Sequence, residues 1–127
     1  GPATVADAHV SFPEDPSLCE TNFFASLECG GRNVALAGSA GGVGPDIVEF
    51  TIWGEKTSFC LWDWNKLKST TGSSWQDELR ELADPRQDGY HRMLDNFRNA
   101  LEGRVHTMPS FRTALSVQTV IESILGR

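Results

Sequence analysis

The sequence predicts an α+β fold: an antiparallel β-meander in the first half, and C-terminal helices packed on one face of the sheet. Three observations carry this. Up to about Asp63, apolar and polar side chains alternate with a period of two, the mark of half-buried strands. Short glycine-bearing turns separate these runs, which favours antiparallel pairing. Beyond about Ser74 the apolar spacing becomes helical, and strands followed by helices argue for layered α+β structure rather than an alternating parallel fold.

In the first strand Ala6, Ala8, Val10 and Phe12 alternate with Asp7, His9 and Ser11, until Pro13-Glu14-Asp15-Pro16 breaks the run. The second runs from about Thr21 to Cys29, with Phe23, Ala25, Leu27 and Cys29 on one face and Asn22, Phe24, Ser26 and Glu28 on the other. Gly30-Gly31 then predicts a tight hairpin into a third strand starting at about Arg32, because both central residues take positive φ without cost. A glycine-rich loop, Gly38 to Pro45, leads to a fourth strand from about Asp46 to Trp53, with Val48, Phe50 and Ile52 on one face. Gly54-Glu55-Lys56 turns the chain into a fifth, from about Thr57 to Asp63.

In the second half, Ser74 is read as the cap of a short helix carrying Trp75, Leu79 and Leu82, with Pro85 ending it or lying just beyond. A stronger helix runs from about Asp88 to Leu101, with Tyr90, Leu94, Phe97 and Leu101 in one stripe and Gly103 placed to stop it. The last helix follows Pro109 with Ser110 as cap. Ala114, Val117, Ile121, Ile124 and Leu125 face the core, and Val120 widens the stripe, so burial on more than one side is expected. Gly1-Pro2 reads as the scar of a tag-removing protease, which leaves residues 3–127 as the domain.

Composition narrows the function classes. The 127 residues fit one domain, and 39% hydrophobic with 22% charged residues speaks against global disorder. A formal net charge of −6 repels phosphate backbones, so no nucleic-acid partner is expected. No apolar run approaches the roughly 18 residues of a membrane span, and no signal peptide is visible. Three cysteines without a close pair suit a reducing, cytoplasmic setting, with Cys29 and Cys60 as buried thiols in strands.

Most chemistry-bearing patterns are missing. The Gly38–Gly44 loop precedes a strand rather than a helix and lacks a Gly-Lys-Ser/Thr ending, so it reads as a hairpin connection and not a phosphate loop. No GxGxxG opens a helix, so no dinucleotide site is expected in this chain. His9, His91 and His106 have no metal-ligand spacing, and no catalytic residue is assigned. Two features could meet a substrate. Tyr90 and His91 open the stronger helix and can orient a hydroxylated substrate by hydrogen bonds; the plainer alternative is that Tyr90 begins the core stripe and His91 faces solvent. Trp62, Asp63 and Trp64 form an aromatic-acid cluster that suits either a sugar or an interface.

The ordered segments VEFTIWGEKTSFCLWDW, YHRMLDNFRNALEG and SFRTALSVQTVIESIL resemble the C-terminal domain of the Gfo/Idh/MocA oxidoreductases, and the resemblance covers nearly the whole chain after Pro2. It implies a missing N-terminal Rossmann domain that binds NAD or NADP, a sugar or polyol substrate, and a sheet whose open face makes a homodimer. It also places Tyr90 near the substrate. The family's Glu-Lys-Pro lysine and its substrate-orienting histidine motif do not occur here: Glu55-Lys56 is followed by Thr57, and Arg112-Thr113 stands where an Asp-Gly pair is usual. The resemblance therefore implies pocket walls and subunit contacts, with Phe24, Trp53 and Trp62 as interface candidates, and an isolated domain without activity. The alternatives are a non-catalytic dimerisation module and a small α+β ligand-binding domain.

Overall fold

The computed structural model describes residues 2–15 and 17–126; Gly1, half of the supposed tag scar, and Pro16, of the proline break, lie outside them. The fold is α+β. Among the described residues, seven strands and two helices follow in the order β1 (Ala3–Ser11), β2 (Asn22–Cys29), β3 (Arg32–Ser39), β4 (Glu49–Ile52), β5 (Ser58–Trp62), β6 (Lys66–Thr70), β7 (Gln76–Asp77), α1 (Pro85–Leu101) and α2 (Phe111–Leu125). The strands form two antiparallel meanders rather than one, β1-β2-β3 and β4-β5-β6-β7. The chain divides accordingly into two compact units. One joins the residues up to Gly44 with those from Pro109 on; the other is Pro45–Met108.

In the first unit the Gly30-Gly31 hairpin forms as the sequence predicts, with φ of 59° and 75°. It sets a register that pairs Phe23 with Gly38, Ala25 with Leu36 and Leu27 with Val34. The predicted face of β2 is the inner one, and Ala25 and Leu27 are buried. A methyl on Gly38 would overlap the Phe23 ring, so the glycine is what lets that ring lie flat across β3. One expectation for β1 changes. The register slips between Val5 and Asp7, so Val5 and Ala8 both face inward while Ala6 is exposed. A β-bulge of this kind breaks the two-residue period that sequence alternation assumes.

Helix α2 packs along β1. Ser110 caps it as expected, its Oγ accepting from the Thr113 N–H at 3.1 Å, and Gly126 closes it in the left-handed region at φ 71°. Only one side is covered: Val120, Ile124 and Leu125 are half-buried, while Phe111, Leu115, Val117 and Ile121 are exposed, against the expected burial on several sides. In the β1–β2 connection Asp15 Oδ1 accepts from the N–H and the hydroxyl of Ser17, at 2.9 and 2.7 Å. The backbone bond first, then the hydroxyl, holds the Asp15 carboxyl below the ordinary carboxylate range. The support this gives the turn is therefore present above the ordinary carboxylate range and is lost as pH falls below that range, through the lowered folded-state value.

The second unit departs further from the sequence reading. No helix starts at Ser74; β7 adds to β6 instead, and the Glu78 N–H continues the ladder by donating to the Leu67 carbonyl at 2.9 Å. The strand β6 itself lies beyond the predicted end of strand structure. Pro85 does not end a helix but begins one. Asp84 Oδ1 accepts from the N–H of Arg86 and Gln87, at 2.9 and 3.4 Å, and proline at the first helical position gives up a donor that has no partner there. Replacing Asp84 by Ala is expected to cost about 1 kcal/mol of stability, readable as a lowered urea midpoint; Asp84→Asn should keep most of it. Asn96 ties down the chain after α1, its Oδ1 accepting from Thr107 N–H at 3.0 Å. The stripe Tyr90, Leu94, Phe97 and Leu101 exists, but all four side chains are exposed rather than core.

On β4 and β5 Phe50, Ile52 and Phe59 are exposed on one face. No helix among the described residues is long and apolar enough to cross a membrane.

Candidate functional site

The pleat of the second sheet sorts its residues into two faces. Phe50, Leu61 and Leu67 are cross-strand partners on the apolar face, while Trp62 falls on the other beside its register partners Glu49 and Lys66. Leu61 and Leu67, with Leu79, give one side of an open cleft of about 620 Å³. A second side comes from α1. Arg86, Gly89, Tyr90 and Met93 stand three and four residues apart, so the helix that Asp84 and Pro85 start delivers all four to one face.

The third side is the β5–β6 hairpin tip, Asp63-Trp64-Asn65. Asp63 and Trp64 both sit in the left-handed region, at φ 51° and 65°. The Asp63 N–H donates to the Val48 carbonyl and the Asn65 N–H back to the Asp63 carbonyl, each at 2.8 Å. The second bond closes a three-residue turn around Trp64. Lys66 Nζ donates to Asp63 Oδ2 at 2.8 Å, and Arg86 Nε lies 3.7 Å from Asp84 Oδ1. Each charged group of the cleft thus has a local counter-charge.

Of the substrate candidates, Tyr90 lines this cleft together with Asp63 and Trp64, two features that sequence reasoning flagged separately. His91, one residue round the helix, is exposed and is not part of the cleft lining. Arg86 and Asn65 went unflagged; the only signal for Arg86 was its helical spacing to Tyr90. Among the interface candidates, Phe24 is 56% exposed on the outer face of β2, in register with His9 and Ala37. Trp53 is exposed at the end of β4, tilted 56° to Trp75 with ring centroids 5.8 Å apart. Trp62 is half-buried.

The described residues do not fit a nicotinamide dinucleotide. The Gly38–Gly44 loop connects β3 to β4, with no helix start to receive a pyrophosphate. The α1 N-terminus is occupied by the Asp84 carboxylate, which would repel a phosphate from the N–H groups it already bonds. No family model, curated protein or solved structure matches the chain.

Proposed function

We propose that this chain is the substrate-side and subunit-contact domain of an NAD- or NADP-dependent oxidoreductase of the Gfo/Idh/MocA kind, acting on a sugar or polyol. The observation that carries the reading is the cleft, where Tyr90 joins Asp63, Trp64 and Arg86 over an apolar floor. Its mixture of aromatic rings, neutralised charges and aliphatic side chains supports a carbohydrate as the ligand. The oxidoreductase assignment rests on the sequence resemblance. The cofactor is assigned to a Rossmann domain encoded upstream of Ala3, and a reducing cytoplasmic setting suits Cys60, kept as a buried thiol. In the natural gene product, Tyr90→Ala is expected to raise the KM for the sugar or polyol about tenfold, the worth of one lost substrate contact. An unchanged KM removes the cleft from the substrate path.

A non-catalytic dimerisation module is the second reading, favoured by the exposed Phe50, Ile52 and Phe59 on one face of β4 and β5. In both readings the chain forms a homodimer through an open sheet face. Phe24→Glu is expected to shift sedimentation from dimer to monomer while the circular dichroism spectrum stays the same. A dimer that survives this change does not use the outer face of β2.

A further inference from the structure

Beyond the sheet-face contact, and independently of any substrate, we infer that the β3 edge of the first sheet is a second interaction surface, which pairs antiparallel with β3 of a second copy of this chain. Among the described residues β3 ends the order β1-β2-β3, so one side of its backbone has no strand beside it. The hairpin decides which residues face that side. Positive φ at both Gly30 and Gly31 makes a two-residue turn that closes on a hydrogen-bonded Cys29–Arg32 pair. Bonded pairs then recur at every second residue. The Ala40 N–H, donating to the Thr21 carbonyl at 2.7 Å, keeps that phase to the far end of the strand. Arg32, Val34, Leu36 and Gly38 therefore bond to β2. The N–H and carbonyl groups of Asn33, Ala35, Ala37 and Ser39 point to the open edge, and all four residues are exposed.

This edge is unguarded. Native edge strands are commonly blunted by lysine, proline, a bulge or a covering element. At the opposite edge β1 has a bulge between Val5 and Asp7, and α2 packs along it. In contrast β3 keeps an unbroken register, holds no proline or lysine, and carries small side chains at its edge-facing residues. A second copy is the occupant that fits. A two-fold axis at Leu36 sets Asn33 against Ser39, and Ala35 against Ala37, of the second copy. Every edge group of both strands then finds a partner, in about eight main-chain hydrogen bonds, close to the roughly ten of a typical interface. The same register keeps side chains on matching faces. Leu36 meets its own counterpart, and Val34 comes beside Gly38 of the second copy, where the missing Cβ leaves room for the Phe23 ring. Arg32, the one charged residue of β3, falls opposite Ala40, so no like charges meet across the axis. A contact of this size is weak, so it joins sheet-face dimers as concentration rises and does not replace them.

The test is amide hydrogen exchange, read by NMR on the 127-residue chain over a roughly thirtyfold dilution from about 1 mM. The Asn33, Ala35, Ala37 and Ser39 amides are expected to exchange about threefold faster in the dilute sample, as for a dissociation constant of about 100 µM. Val34 and Leu36, bonded to β2, should hold their rates. Ala35→Pro removes one edge donor, and an edge strand tolerates proline where the N–H it replaces faced solvent. Its circular dichroism spectrum should match wild type, and the dilution effect at Asn33, Ala37 and Ser39 should vanish. Edge amides whose rates ignore dilution would overturn the inference: fast rates leave the edge bare, and slow rates mean that a strand of the same chain covers it. An Ala35→Pro chain that keeps the dilution effect would overturn it too. Phe24→Glu separates the two contacts. The edge amides of that variant should still respond to dilution, and a lost response would assign the effect to the sheet face instead.

Discussion

Leu27→Ala is expected to destabilise the first unit by about 2–4 kcal/mol, a large share of the roughly 5–15 kcal/mol that holds a domain together. Leu27 lies on the central strand of the three-stranded sheet and pairs with Val5 on one side and Val34 on the other. It is 8% exposed, and the only other buried hydrophobic residues among those described are Ala25 and Cys60. With so few buried side chains, the cavity left by three lost heavy atoms has little around it that can collapse inward. Urea titration reads the loss as a lowered midpoint at constant slope. Leu27→Met, which conserves volume, should cost less than about 1.5 kcal/mol. A Leu27→Ala midpoint equal to wild type would mean that the first sheet draws its stability from elsewhere.

Gly54→Ala is expected to cost about 2–4 kcal/mol in the second unit. A methyl there would overlap the Thr57 carbonyl oxygen, a backbone atom that cannot swing aside as a side chain does. Opening the turn to make room would break the 3.2 Å bond from the Gly54 N–H to Ser58 Oγ, and Ser58 is buried. Its hydroxyl would then be left without that donor in a dry position. Gly42→Ala is the control, since nothing lies within 4 Å of an added Cβ; it should stay within about 0.5 kcal/mol of wild type. Thermal unfolding followed by near-ultraviolet circular dichroism reports on Gly54→Ala, because Trp53, next to this turn in sequence, packs at a tilt against Trp75; far-ultraviolet circular dichroism follows the control.

Features fixed by local chemistry were legible in the sequence. Gly30-Gly31 favoured a tight hairpin, Ser110 after Pro109 suited a helix cap, and the face shared by Phe23, Ala25 and Leu27 is the inner one. Features that depend on distant pairing were not. The Ser74 segment looked like a helix start because serine is a good cap, but Ser69 and Leu67 of β6 offer it a strand partner: the Ser69 hydroxyl donates to the Glu78 carboxylate, and the Leu67 carbonyl takes the Glu78 N–H. The hairpin at Asp63-Trp64 was hidden because no glycine announces its positive φ values. Pro85 was read as a breaker when Asp84 makes it a starter. The stripe on α1 was sound as periodicity, yet no periodicity says whether this chain or another covers it.

The site was legible in pieces. Tyr90 stood out as the lone tyrosine opening a helix, and Asp63 with Trp64 as an aromatic-acid cluster. Their convergence needs β6 to return along β5 and α1 to start at Pro85, both of which escaped the sequence. His91 illustrates the limit of proximity in sequence: one step along a helix turns a side chain about 100°, enough to take it off the shared face.

The measurement that tests the proposal most directly is calorimetric titration of NADH and NADPH into two proteins, the natural gene product and residues 3–127 alone. The proposal requires saturable binding of one dinucleotide by the gene product and none by residues 3–127, whose helix starts among the described residues are capped by Asp84 and Ser110. Binding of either dinucleotide by residues 3–127, or binding of neither by the gene product, would contradict it.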